Sequence, residues 1–277
     1  MHIAAAFTGL IVLVFLVIKT AAALIYLFSR RSFWLQEGKK VSTTSGYVTP
    51  YISWASRLAL YLITRTYGRL YLGGLQVKGA EKLYKSPTRL IVCPNHQFEH
   101  DAIVLSYLVG TRRWRFLAAI EQLAGWRAPW MAWLGIVPVD HNNLRARVKV
   151  IGTIVDTLKR ESGTSFIIFP QGRLVADNQL LLSDFNTGPA IMATRASAEC
   201  GEPFSLLPVY IEYKSEEKEA KAWHRVLAKL GISRQFCGRS MYGCTVTIGD
   251  AIAAAPEADK QELTDRLFQA IVKLQSA

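Results

Sequence analysis

The longest apolar stretch of the chain runs from Ile3 to Phe28, broken only by Thr8, Gly9, Lys19 and Thr20. About 20 apolar residues cross a hydrocarbon core, so this segment is long enough to span a bilayer. Lys19 is costly near the middle of a span unless it snorkels, which leaves open a helix lying in one leaflet; a buried soluble helix is the plainer alternative. A cleaved signal peptide fits poorly, because its basic region should precede the apolar run and only His2 does. Residues 40–50 read as a polar connector. From Tyr51 to Leu72, Arg57, Tyr61, Arg65 and Arg69 recur every four residues, placing the basic groups on one face of a predicted helix. That face suits an anionic membrane surface or, equally on this segment alone, water beside a packed core.

From residue 86 the pattern changes to short apolar runs alternating with amphipathic stretches. Strands are predicted at Leu90–Cys93, Arg115–Ala119, Ile136–Val139, Ser165–Phe169, Leu206–Tyr213 and Thr245–Ile248, and helices at Ala102–Val109, Arg145–Arg160, Gly188–Ala198 and Lys260–Gln275. Such alternation predicts one α/β domain with a largely parallel central sheet flanked by helices. Three segments follow: an N-terminal membrane anchor and connector (1–50), a basic amphipathic membrane-surface helix (51–76) and the α/β domain (77–277).

The hydrophobic fraction of 51% and a charged content of 19% exclude disorder. Only one stretch is apolar enough for a bilayer, which argues against a polytopic membrane protein. The formal net charge is +12, but residues 1–90 hold 12 basic and 2 acidic side chains while residues 91–277 hold 21 and 19. A nucleic-acid-binding domain would spread its Lys and Arg over the folded part, so no nucleic-acid partner is expected. Arg30, Arg31, Lys39 and Lys40 directly follow the anchor and place the remainder on the cytoplasmic side. Cysteines 93, 200, 237 and 244 show no metal-like spacing and read as reduced thiols.

In a parallel sheet the chemistry gathers beyond the carboxyl ends of the strands. The loop Cys93-Pro94-Asn95-His96-Gln97-Phe98-Glu99-His100-Asp101 follows such a strand and admits two chemical readings. His96 to His100 fits the H-x-x-E-H zinc pattern, though no distal acidic ligand stands out. Alternatively, Asp101 orients the His96 imidazole while the free ring nitrogen takes a proton from a hydroxyl. Residues five apart on a helix differ by about 140°, so this pair needs His96 ahead of the helix; Pro94 discourages helix there and Asn95 is a good N-cap. A purely structural His/Asp pair is the plainer alternative. A second loop, Phe169-Pro170-Gln171-Gly172-Arg173, combines a glycine that permits close approach with a guanidinium suited to phosphate. Trp126, Trp130 and Trp133 share one face of a predicted helix, as the wall of an apolar tunnel, an interfacial belt or an aromatic core stripe. Arg112, Arg113, Arg115 and Arg127 could meet an acidic carrier or lipid, or only water.

Taken together, these blocks resemble the glycerolipid acyltransferases of the bacterial lysophosphatidic acid acyltransferase type. Asn95, His96 and Asp101 match N-H-x-x-x-x-D; Gly135-Ile136-Val137-Pro138-Val139-Asp140-His141 looks like the second block, Phe169 to Arg173 like F-P-E-G-T-R, and Leu207-Pro208-Val209-Tyr210 like the fourth. Order and spacing agree from roughly Val77 to the C-terminus. The resemblance implies transfer of a fatty acyl group from acyl-CoA or acyl carrier protein to a lysolipid hydroxyl, with His96 as general base and Asp101 as its orienter. Asn95, Pro170, Gln171, Gly172 and Arg173 would be substrate-binding. It implies no metal and no cofactor beyond the acyl donor, membrane lipids as partners, and attachment to the inner membrane. Gln171 replaces the usual glutamate, the threonine of the third block is absent, and His141 replaces an arginine, with Arg145 and Arg147 close behind. These departures open the acceptor to other lipid hydroxyls: a glycolipid, a terpenoid or an amino lipid. An inactive lipid-binding protein on the same scaffold is the rival, against which both catalytic positions are intact.

Overall fold

The computed structural model describes residues 31–49, 72–85, 89–98, 101–105, 113–123, 125, 128–161, 163–175, 177–217 and 239–276. The expected anchor at 3–28 lies outside them, as does the arginine-faced helix apart from Leu72. Among the described residues no helix is long and apolar enough to cross a membrane.

The elements that place the site are β2 (Leu90–Pro94), β3 (Arg113–Ala119), β4 (Val137–Val139), β5 (Thr164–Ile167) and β6 (Phe204–Glu217). With β1 (Leu75–Lys78), β7 (Arg239–Ile248) and β8 (Ile252–Ala254) they form one sheet in the order β1-β7-β6-β2-β5-β3-β4, with β8 on β6. The pairings are parallel except for β6 with β7 and with β8. The α/β reading with a largely parallel sheet therefore holds.

Period-two alternation divides the side chains between two cores. Leu90 and Val92 of β2 face one cluster together with Leu207, Val209, Ile211 and Tyr213 of β6. Ile91 and Cys93 face the other, with Phe204, Leu206 and Tyr210. The first face is covered by α1 (Arg31–Thr43), α3 (Asp101–Leu105) and α4 (Ala128–Trp133); α2 (Ala80–Lys85) also contributes Leu83. The second is covered by α5 (Leu144–Arg160), α6 (Gly188–Cys200) and α7 (Lys260–Gln275). Both cores are buried, as a sheet of mostly parallel strands requires.

Residues 40–50 are more than a connector. Helix α1 continues to Thr43 and buries Trp34, Glu37 and Val41. At Gly38 a Cβ would stand 2.6 Å from the Pro129 backbone nitrogen, so the glycine permits α1 and α4 to touch backbone to backbone. Beyond it, Gly46 N–H donates to the Pro138 carbonyl at 2.8 Å and the Asp140 N–H to Ser45 Oγ at 3.0 Å. Residues 31–49 thus dock on the sheet domain that the sequence begins at 77.

Arg115 corrects the reading of it as a carrier or lipid contact. It is buried at 1% exposure, with Nε 3.0 Å from Glu161 Oε2, Nη2 2.7 Å from Oε1 and the Thr49 carbonyl at 3.3 Å. Its side chain sits inside because β3 is an inner strand. Glu161→Ala should strand this buried charge and cost about 3 kcal/mol, measurable as a lowered midpoint in chemical denaturation. The side chains of Arg112, Arg113 and Arg127 lie outside the description.

Candidate active site

The parallel strand β2 ends at Pro94, and the chain turns over its carboxyl end before α3 begins at Asp101. His96 lies in this turn. Its Nδ1 is 2.9 Å from Asp101 Oδ2, which also accepts Gln97 N–H at 2.8 Å and Phe98 N–H at 2.9 Å. Asp101 is fully buried, and its other oxygen accepts the Tyr213 hydroxyl. One carboxylate therefore both shapes the turn and fixes the imidazole. In the neutral tautomer that donates from Nδ1 to Asp101, Nε2 is the ring's acceptor nitrogen. The imidazole stacks on Phe169, ring centroids 3.9 Å apart, and keeps 19% of its side chain exposed. No described residue hydrogen-bonds Nε2.

The peptide of His96 is clamped from the second loop. Its N–H donates to Gln171 Oε1 at 2.7 Å, and its carbonyl accepts Val175 N–H at 2.8 Å. Gln171 is 4% exposed, and its Nε2 is buried without a protein partner among the described residues. Replacing Gln171 with Leu should leave the His96 N–H unpaired, lower stability by about 1–3 kcal/mol and reduce turnover as the ring loses its seat; thermal unfolding and a rate assay read the two effects.

Two expectations for Asn95 are corrected. It caps no helix, because α3 starts six residues later. Nor is it placed to bind substrate, being fully buried with its amide saturated: Oδ1 accepts Ile211 N–H at 2.6 Å, and Nδ2 donates to the Ile211 carbonyl at 3.0 Å and to Asn178 Oδ1 at 2.6 Å. Where the β2 backbone stops, this side chain continues the pairing with β6. Asn178 holds a left-handed φ of 56° and donates onward to the Tyr210 hydroxyl at 2.7 Å, a group that burial holds above its ordinary pKa. Asparagine tolerates that backbone well.

The remaining predicted residues separate into two kinds. Pro170 is buried, its carbonyl accepting both the backbone N–H and Nδ2 of Asn186 at 2.9 and 3.0 Å, so it shapes the loop more than it faces a ligand. Gly172 is exposed at φ 63°, a left-handed turn position that glycine supplies without strain. Arg173 is exposed and held by Asp184, with Nη2 2.9 Å from each carboxylate oxygen. His141, Arg145 and Arg147 are exposed around the start of α5.

For zinc, Glu99 and His100 lie outside the described residues, and His96 spends Nδ1 on a carboxylate. No three His, Cys, Asp or Glu gather to hold a metal among the described residues. Cys93 is buried before the loop, and burial raises its thiol and that of Cys244 far above the ordinary range, so neither is an available nucleophile. Cys237 and Trp126 lie outside the description. Trp130 and Trp133 touch edge-on with ring centroids 6.0 Å apart on α4, the first 46% exposed and the second buried.

Tyr213, Asn178 and Val175 are the site residues that the sequence reading missed. Alternation along β6 was available as a signal for Tyr213, which shares its face with Val209 and Ile211.

The crystal structure of the 1-acyl-sn-glycerophosphate (LPA) acyltransferase PlsC from Thermotoga maritima is similar, at a TM-score of 0.57 and 18% identity, covering 94% of this chain and 97% of that one. At that identity the likeness shows the fold alone. No curated protein matches the chain. A sequence profile described as Acyltransferase matches residues 74–212, half of the chain and the part that carries β2, His96, Asp101 and the Phe169–Arg173 loop. The chain belongs to the acyltransferase family.

Proposed function

We propose that the chain moves a fatty acyl group from an acyl thioester, acyl-CoA or acyl carrier protein, to the hydroxyl of a lysophospholipid, with lysophosphatidic acid giving phosphatidic acid as the first reading. The observation that carries it is the 2.9 Å contact of His96 Nδ1 with buried Asp101, which leaves Nε2 to act as the base on a side chain that keeps 19% exposure. Nε2 takes the acceptor hydroxyl proton as its oxygen attacks the thioester carbonyl. The tetrahedral adduct then collapses, the C–S bond breaks and the imidazolium returns the proton to the leaving sulfur. Asp101 stabilises the imidazolium between these steps. A thioester is already activated, so a held base and donors for the oxyanion suffice, without metal or covalent intermediate. The similarity to PlsC in fold supports this reading, as does the membership of the family.

On the same reading, residues 3–28 attach the enzyme to the inner membrane and the basic segment to residue 76 lies on its cytoplasmic face, bringing the site to its lipid. A different lipid hydroxyl is the second reading. What favours it is Arg173, the expected phosphate partner, which is instead committed to Asp184. The test is an assay of the full chain in detergent with long-chain acyl-CoA and acyl carrier protein, against lysophosphatidic acid, other lysophospholipids, glycolipids and lipid alcohols. Thiol release coupled to a new acylated product identifies donor and acceptor; no transfer to any hydroxyl would refute the proposal.

A further inference from the structure

Asp101 is held unequally through its two oxygens. Oδ2 receives His96 Nδ1 and the N–H groups of Gln97 and Phe98, whereas Oδ1 receives the Tyr213 hydroxyl. Rotation of the carboxylate about its Cβ–Cγ bond moves both oxygens and changes the direction of the lone pair that His96 meets. A donor on the second oxygen fixes the plane. Tyr213 can supply it from a rigid place: it is buried, stands opposite Cys244 on β7 and has the ring of Phe98 edge-on at 5.5 Å. Ile211, two residues back on the same strand, is the residue that Asn95 clasps on both backbone groups. The strand that seats the turn before His96 therefore also delivers the hydroxyl behind Asp101.

We infer that Tyr213 is a positioning residue for acyl transfer, acting through Asp101 on His96. The inference rests on His96 serving as the base. It makes the dyad a chain of three side chains, Tyr213–Asp101–His96, in which the tyrosine touches no substrate.

The test uses the full chain with whichever donor and acceptor the wild type turns over. Tyr213→Phe keeps the ring and removes one hydrogen bond to a carboxylate, and should lower kcat about tenfold while the KM of both substrates stays within about twofold. Introduced into Asp101→Asn, the same change should cost less than about twofold, because the orientation it protects is already lost. A merely structural tyrosine would lower kcat equally in both backgrounds, and that result overturns the inference; so does a Tyr213→Phe enzyme within about twofold of wild-type kcat. If the variant does not fold, 3-fluorotyrosine installed at position 213 keeps the packing and strengthens the donor. A change in kcat with unchanged KM then supports the inference, and an unaltered kcat overturns it. Wild-type turnover that survives His96→Ala would refute the base itself, an outcome separate from any result at Tyr213.

Discussion

His96→Ala is expected to lower kcat roughly a thousandfold while changing the KM of either substrate little. Among the described residues the ring makes one polar contact, to Asp101, and one stacking contact, to Phe169. Its loss removes the proton acceptor without removing the peptide that positions the loop, since the N–H bond to Gln171 and the carbonyl bond to Val175 belong to the backbone. Alanine keeps both, so β2, β5 and their loops should stay in register and the melting temperature should fall only slightly. The residual rate should come from proximity of the bound thioester and hydroxyl and from oxyanion stabilisation. Steady-state kinetics with thermal unfolding separates these effects. A variant retaining a tenth of wild-type turnover would show that the hydroxyl loses its proton elsewhere.

The sheet is legible in the sequence where the physics is local. Leu90 to Cys93 is a short apolar run that must be buried on both faces, and Lys260–Gln275 keeps its amphipathic period from cap to end; both appear as expected. The first strand, Leu75–Lys78, escapes notice because it is only four residues long, with just Leu75 and Val77 packed on the core and Gln76 and Lys78 exposed. Helix α1 escapes because Glu37, Lys39 and Lys40 make it look solvated. The structure instead buries Glu37 against Lys40 Nζ at 2.9 Å and the Tyr47 hydroxyl at 2.5 Å. In the site, His96 with Asp101 is readable from spacing because both lie in one loop. Gln171 on the His96 peptide, Val175 on its carbonyl, Asn95 across to Ile211 and Tyr213 behind Asp101 join residues 75, 79, 116 and 112 positions apart, and no local pattern encodes such distances. Asn95 shows the cost of local reasoning: its preference for helix starts is genuine, but the sheet claims its amide first.

Asp101 separates orientation from architecture, and two substitutions there should part company. In Asp101→Asn an amide oxygen at the Oδ2 position still accepts from Gln97 and Phe98, and the amide nitrogen faces Tyr213, whose hydroxyl can turn to accept. The turn should survive at a cost of about 1–2 kcal/mol. What goes is the negative charge opposite an imidazole that must become an imidazolium as the hydroxyl proton arrives. A neutral orienter also tolerates the other ring tautomer, which would point a protonated nitrogen at the substrate. In a Ser-His-Asp triad that exchange costs about 10⁴-fold, and roughly 10³–10⁴ is expected here with KM nearly unchanged. Asp101→Ala, by contrast, leaves the hydrogen-bond donors of His96, Gln97, Phe98 and Tyr213 without their acceptor in a buried place. It should lower stability by at least about 3 kcal/mol, so that inactivity and unfolding arrive together. Kinetics and chemical denaturation on both variants decide the matter: a fully active Asp101→Asn enzyme would reduce Asp101 to a builder of the turn, whereas a stable but inactive one makes its charge part of the reaction.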